Sequence, residues 1–385
     1  MMAEAVHIVW IILQIAFGFH LFFPLFLFLL SKVKGKTTPS KEAVKQLDFA
    51  VIITAYEETI NLHDVVDAFS QQRYENYTIY LVADKCDVSQ LHFDNPRVNV
   101  LVPPQTIGSN TGSHAYAFEH FKQKHDVVTI IDSDNIIDKN YLFALNQCLS
   151  QGFKAVQGLR AAKNLDSDYA RLDAARDIYY HYYDGELLYN VGSSATLSGS
   201  AMAFDVNLYS DFLSKCKVSG AGFDKVLQAF LVQQDIRIAF CKKAVLLDQK
   251  TSNASTLVKQ RSRWINTWFK YFKYGFTLLF KGLSHFSFNQ LLFGLVLLRP
   301  PLFIFLILSL LALVINIVLG LNVWLWVAGF VAFIVAFFIA LASADTDKRI
   351  YSALAKIPKF VFYQVLSLTK VRVANKISVA TKHEK

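Results

Sequence analysis

The sequence predicts an α/β domain with a parallel sheet of nucleotide-binding type, set between membrane helices. Three observations carry that expectation. Apolar runs of strand length alternate with helical spacing from residue 49 to 131, an acidic pair Asp132-Ser133-Asp134 closes one of those runs, and long uncharged tracts lie on either side of this region. With 385 residues, 54% hydrophobic content and a mean hydropathy of +0.32, the chain is too apolar for a soluble enzyme of this size.

In chain order, Val6 to Leu30 contains no Lys, Arg, Asp or Glu and exceeds the ~20 residues a helix needs to cross a bilayer. No basic segment precedes it and no small-residue cleavage site follows, so a spanning helix fits better than a cleaved signal. Lys32, Lys34, Lys36, Lys41 and Lys45 come next. A basic flank faces the cytoplasm, which puts the N-terminus outside and the following domain inside.

The interior domain begins with the apolar runs Phe49 to Ile53 and Thr78 to Val82, separated by Glu57 to Gln72 with helical spacing at Leu62, Val65, Val66 and Phe69. A second helix is expected over His114 to Lys124, leading into the strand Val127 to Ile131. That strand delivers Asp132 and Asp134 to its C-terminal end, where open α/β sheets bind ligands. Carboxylates at i and i+2 in that position suit a divalent cation holding a diphosphate. Asp84 ends the strand before it and can accept hydrogen bonds from a base or ribose, or cap a turn. Thr54, Ala55, Tyr56 and Glu57 close the first strand, where backbone amides and a ring can pack on a base. The small residues Ser198, Gly199 and Ser200 allow a substrate close to the backbone. Asp224 precedes a helical pattern and reads as a carboxylate base or an N-cap.

Gln260-Arg261-Ser262-Arg263-Trp264 adds guanidinium donors for phosphate oxygens and a flat apolar face for a sugar. From Trp264 to His285, aromatic residues interleave with Lys270, Lys273 and Lys281, the pattern of amphipathic helices at a membrane surface. Leu302 to Leu319 and Val323 to Ala342 read as two spans forming a hairpin. The tail is basic, with Lys348, Arg349, Lys356, Lys359, Lys370, Arg372, Lys376, Lys382 and Lys385, and Ile357 to Leu368 is expected to form a further surface helix. Lysines facing anionic headgroups account for the net charge of +9 without nucleic-acid binding. Cys86, Cys148, Cys216 and Cys241 are spaced too irregularly for a zinc site and read as reduced packing residues. The expected divisions are therefore 1–31 (membrane helix), 32–263 (cytoplasmic domain), 264–298 (interfacial helices), 299–343 (membrane hairpin) and 344–385 (basic tail).

Taken in order, Thr54-Ala55-Tyr56-Glu57, Asp84, Asp132-Ser133-Asp134, Ser198-Gly199-Ser200, Asp224 and Gln260 to Trp264 resemble the membrane-embedded family 2 glycosyltransferases, related to cellulose, hyaluronan and poly-N-acetylglucosamine synthases. The resemblance implies a GT-A fold, a nucleotide-sugar donor, usually a uridine diphosphate sugar, inversion at the anomeric carbon, and Mg or Mn as cofactor. It gives Asp84 and Asp132 to the nucleoside, Asp134 to the metal, Gln260 and Arg263 to the diphosphate, Trp264 to the floor of the acceptor site, and Asp224 to the general base. Phe223 stands where the family has a glutamate, and Asp235 is the second choice for the base. The acceptor would be a glycan or a lipid. The reading is a bacterial inner-membrane enzyme of surface or exported polysaccharide synthesis, working with export partners. A single-sugar glycolipid synthase of the ceramide glucosyltransferase kind and a catalytically silent glycan- or nucleotide-binding membrane protein are the alternatives.

Overall fold

The computed structural model describes residues 2–34, 45–218 and 220–371. The lysines at 36 and 41 and the tail from Arg372 onward lie outside the described residues. Helix α1 (Met2–Lys34) precedes β1 (Phe49–Tyr56), α2 (Leu62–Ser70), β2 (Tyr77–Asp84), β3 (Val98–Leu101), α3 (Asn110–Glu119) and β4 (Val127–Asp132). These four strands are mutually parallel, in the order β3-β2-β1-β4. Phe49 to Ile53 are buried on both faces, which is why a continuous apolar run marks the strand.

Helix α3 begins four residues before the expected start. The Ser109 hydroxyl accepts the Gly112 N–H, and the Lys122 N–H has already left the helix for the Tyr80 hydroxyl at 2.9 Å.

The second half of the sheet was not foreseen from the sequence, although the helical pattern after Asp224 was. It contains β5 (Ile136–Ile137), α4 (Tyr141–Leu149), β6 (Ala155–Ala162), α5 (Asp168–Tyr180), a π-helical stretch (His181–Leu187), α6 (Leu188–Asn190), β7 (Met202–Asp205), α7 (Val206–Lys215), α8 (Phe223–Gln233) and β8 (Ile238–Asp248). Strand β7 lies antiparallel between β4 and β6, and β8 runs parallel to β6, giving an eight-stranded mixed sheet.

After β8 the chain is helical: α9 (Ala254–Tyr271), α10 (Tyr274–Ser284), α11 (Phe288–Leu298), α12 (Leu302–Val318), α13 (Trp324–Ser343), α14 (Lys348–Ala353) and α15 (Ile357–Ser367). Asn253 caps α9 by accepting the Thr256 N–H. Helix α9 continues through Arg263 and Trp264 to Tyr271, so the expected division at 263/264 falls inside one helix. Among the described residues, two helices are long and apolar enough to cross a membrane, within His7–Lys34 and Trp324–Ser343. Helix α12 reaches that measure only together with α11, and the two are bent by 76° at Arg299-Pro300-Pro301. Prolines remove backbone donors there, so the helix restarts in a new direction.

One face of the sheet packs into a core shared with the long apolar helices, in which Phe23 and Leu27 of α1, Phe305 of α12 and Ala336 of α13 join Tyr80, Phe204 and Phe240. Burying each large side chain stabilises by ~1.5–3 kcal/mol, so the helical part is fastened to the sheet. Between α1, α12 and α13, the Asn316 amide donates to Gln14 Oε1 (2.6 Å), and Trp10 and Trp326 donate to Asn316 and Gln14. Small polar networks of this kind fix helix register in lipid. The tail folds back as α14 and α15, burying Ala353 and Phe360 against Leu172 of α5 and Leu257 of α9.

Candidate active site

A cleft of about 1280 Å³ opens at the C-terminal ends of β1, β2 and β4 and runs along α5, α8 and α9 to the α11–α12 junction. Its wall at one end is made by Thr54, Ala55, Tyr56 and Asp84. Asp84 is buried, and its two carboxylate oxygens accept the N–H groups of Ile107 (2.9 Å) and Gly108 (2.7 Å). It therefore anchors the loop that closes this end, the turn-capping alternative of the sequence reading, while still lining the cleft. Glu57 is turned away: it sits at positive φ (61°) and its carboxylate meets Lys85 Nζ at 2.7 Å, leaving Glu58 on the cleft wall.

Asp132 and Asp134 stand together at the end of β4, and both line the cleft. Burial, reinforced by the charge of Asp134, pushes the Asp132 carboxyl up to about 7 despite the opposing pull of Arg160. A cation between the two carboxylates would relieve that penalty. Among the described residues, no group of three His, Cys, Asp or Glu side chains is arranged to hold a metal by itself. An ion here would need donor oxygens from a diphosphate or water, the usual habit of Mg²⁺. The pair therefore fits Mg or Mn held jointly by protein and substrate.

Behind the pair, Asn135 is fully buried. Its amide donates to Asp134 Oδ1 (3.0 Å) and Asp248 Oδ1 (3.3 Å), and its carbonyl accepts from the Ser200 hydroxyl (2.6 Å). Ser200 also accepts the Asp132 N–H at 3.2 Å and is fully buried. It braces the acidic turn from behind and is not placed to touch an acceptor, which corrects the role expected of it. Ser198 and Gly199 do line the cleft. The φ of +90° at Gly199 explains the glycine, since a side chain would be strained there.

Asp224 lies in the first turn of α8 and also lines the cleft. The N-cap position belongs to Gly222, so Asp224 is not the cap. Its Oδ2 is 3.0 Å from Lys225 Nζ, which also donates to the Leu197 carbonyl at 2.7 Å. A Cβ on Gly222 would come within 2.5 Å of Thr267 Cγ2 and 2.8 Å of Tyr271 Cε2, so this glycine sets α8 directly against α9. Asp235 is elsewhere. It accepts from the Ser287 hydroxyl (2.7 Å) and the Asn289 amide (3.1 Å), tying α8 to α11, and does not line the cleft.

Gln260, Arg261, Arg263 and Trp264 project from α9 into the cleft. Burial lowers the pKa of Arg263. Arg261 is buried and ion-paired with Asp173; burial and the neighbouring Arg176 bring its pKa down to about 10. The guanidinium carbons of Arg261 and Arg176 lie 4.1 and 4.4 Å from the centroid of the Trp264 ring, which remains 40% exposed. The sequence reading missed the charged layer below. Arg160 meets Asp248 at 2.8 Å, while Lys250 bridges Asp248 and Asp177. Against the upward push of burial, Arg160 and Lys250 hold Asp248 down to about 2, and Lys250 and Arg176 hold Asp177 well below the usual carboxylate range. Tyr180, His181, Asp184 and Arg299 continue the wall toward the α11–α12 junction, and Gln364 reaches it from α15. No local pattern announces these residues, because their chain neighbours serve other surfaces.

The profile described as Glycosyltransferase like family 2 matches residues 46–267. The mannosyltransferase PcManGT from Pyrobaculum calidifontis, solved in complex with GDP-Man and Mn²⁺, superposes with a TM-score of 0.59 at 14% identity, over 94% of this chain and 98% of its own. TarS 1–349 of S. aureus, solved with UDP-GlcNAc, aligns at a TM-score of 0.44 and 13% identity, over 86% and 91%. No curated protein matches the chain. With the family profile covering more than half of the chain, and with a mixed sheet ending in an acidic turn over one long cleft, the protein belongs to glycosyltransferase family 2 and has its GT-A-like α/β fold.

Proposed function

We propose that the protein transfers one sugar from a nucleoside diphosphate sugar to a hydroxyl acceptor at a membrane, with inversion at the anomeric carbon. The observation that carries this reading is the convergence of Asp132, Asp134, Asp224, Gln260 and Arg263 on one cleft that extends to the membrane helices. The nucleoside occupies the end formed by Thr54, Ala55, Tyr56 and the loop held by Asp84. Asp134, with Asp132, would hold Mg or Mn, which when bound supplies positive charge to the diphosphate. Gln260 and Arg263 donate to the departing phosphate oxygens, where preorganised donors stabilise developing charge. Asp224 accepts the acceptor's proton as its oxygen bonds to the anomeric carbon and the bond to the nucleoside diphosphate breaks. Attack from the face opposite the leaving group inverts that centre.

Sequence resemblance favours a uridine nucleotide, and the fold-level likeness to a mannosyltransferase complexed with GDP-Man and Mn²⁺ adds guanosine to the donors to test. We assign the N-terminus to the outside of a bacterial inner membrane, the catalytic domain to the cytoplasm, and the acceptor to a glycan or glycolipid of surface or exported polysaccharide synthesis. Incubating solubilised protein with a panel of UDP- and GDP-sugars and following diphosphate release and product mass tests the activity. Absence of turnover with every donor, with or without nucleotide binding, would leave the silent binding protein in its place, whereas chelator-insensitive turnover would remove the metal from the reading. For topology, labelling of a cysteine placed at Thr38 by an impermeant reagent in intact cells would overturn the cytoplasmic assignment.

A further inference from the structure

At the membrane end of the cleft, Asp184 of the π-helical stretch and Arg299 of the α11–α12 junction form an ion pair between two side chains that are each 4% exposed. Both residues line the cleft, and each keeps a polar atom without a hydrogen-bond partner among the described residues: Asp184 Oδ1, an acceptor, and one guanidinium nitrogen of Arg299, a donor. Removing charged groups from water and leaving part of their bonding capacity unused is costly unless a ligand completes it. The backbone around them is also unusual. Asp184 lies in a π-helical stretch, which is rare and frequent at functional sites, and Arg299 precedes the Pro300-Pro301 break.

We propose that Asp184 and Arg299 form a second carbohydrate subsite, which binds a hydroxyl of the acceptor beyond the one that reacts. A hydroxyl serves both vacancies at once, donating to Asp184 Oδ1 while accepting from Arg299. A phosphate would meet the Asp184 carboxylate, and a hydrocarbon chain would leave both atoms unpaired. Tyr180 supplies an aromatic surface beside the pair, its ring centroid 5.4 Å from the Arg299 guanidinium carbon, and Leu302 and Phe303 carry the wall into α12. The acceptor is thus already glycosylated, or ends in a polyol, and it enters from the membrane side. This rests on the transferase reading above and adds the residues that would hold the acceptor beyond its reacting hydroxyl.

The experiment uses the full chain in lipid nanodiscs, with octyl glucoside, octyl mannoside, octyl galactoside and octyl N-acetylglucosaminide as acceptors, octyl phosphate as the anionic comparison, and nucleoside diphosphate release as the signal. At least one octyl glycoside is expected to accelerate release. Asp184→Asn is expected to raise its KM about tenfold while kcat and the donor KM change less than about threefold. Because the substitution leaves Arg299 buried without its counter-charge, Leu302→Trp serves as an independent variant, which narrows the same end without altering charge and is expected to raise the same KM. Acceleration by octyl phosphate in preference to every glycoside overturns the subsite, as does failure of all four glycosides or an unchanged KM in both variants. Absence of release with any donor instead refutes the transferase reading itself.

Discussion

The two ends of the cleft are built differently. At the donor end, Thr54 to Tyr56, Asp84, Asp132 and Asp134 all sit at the C-terminal tips of neighbouring parallel strands, each a few residues past an apolar run. At the other end the lining comes from α5, the π-helical stretch, α8, α9, the α11–α12 junction and α15, from residues spread over 176 to 364, with α9 contributing the most. Strand tips concentrate chemistry in short windows. Helix faces disperse it: outside α9, where eight residues between Gln260 and Tyr271 line the cleft, each helix turns only part of its surface to the cleft and its remaining positions serve other contacts.

If the two ends divide the work between donor and acceptor, substitutions should separate them. The largest effect is expected from the residue between them: Asp224→Asn keeps the shape and loses the base, so transfer should fall ~10²–10⁴-fold while donor affinity stays within about twofold. Retained transfer in a folded protein would remove Asp224 from catalysis. Asp134→Ala should behave in the complementary way, lowering turnover ~10²-fold or more and weakening donor binding with it. Unaltered donor affinity by calorimetry in Mn²⁺ would show that the acidic pair does not hold the ion.

The donor end should also respond to pH. The Asp132 carboxyl is pushed up to about 7, and a cation binds its ionised form, so proton and metal compete. Mn²⁺ affinity should therefore be full above pH 7 and fall by up to tenfold for each unit below it, whereas a carboxylate of ordinary pKa would hold its affinity down to about pH 5. A flat affinity between pH 5 and 8 would sever Asp132 from the ion.

How much could be read from the sequence follows the same division. Strands β1, β2 and β4 were legible as uninterrupted apolar runs, and Asp132 and Asp134 as carboxylates immediately beyond one of them. Strand β6 was not, because it carries Gln157 and Arg160, polar residues whose burial is supported by sequence-distant partners such as the Ser200 carbonyl and Asp248. Ser200 was misjudged for the reverse reason: small residues signal close approach, and the approach proved to be that of Asn135 and the Asp132 amide. The tail was read as basic surface, yet Phe360 packs on α9 and Gln364 enters the cleft, since charge patterning reports the solvated face of a helix and not what its other face covers.

The junction of α8 with α9 gives a third substitution. Gly222→Ala would force a Cβ against Thr267 and Tyr271 at a φ of +95°, and overpacking with left-handed strain costs about 2 kcal/mol or more. Melting temperature should drop by several degrees and transfer several-fold as Asp224 shifts relative to Arg263, with the donor end unaffected. An equal loss of donor affinity would mean that the two ends move as one.

The smallest expected effect concerns Trp264, the residue in which the acceptor end is most ambiguous chemically. Its ring has two guanidiniums within 4.4 Å and is still 40% exposed, so it can brace Arg176 and Arg261 with part of its surface and floor an acceptor sugar with the rest. Phenylalanine keeps a face for either partner but is smaller and a weaker cation–π acceptor, so each contact loses a fraction of the roughly 0.5–2 kcal/mol that such a pair carries. Trp264→Phe should therefore lower the melting temperature by a few degrees and raise the acceptor KM by no more than about threefold, leaving the donor KM unchanged. The balance between the two readings is informative. An unchanged melting temperature with an acceptor KM more than tenfold higher would assign the ring to the sugar alone, and the cationic layer beneath it would then have to stand on Asp173 and Asp177 without the indole.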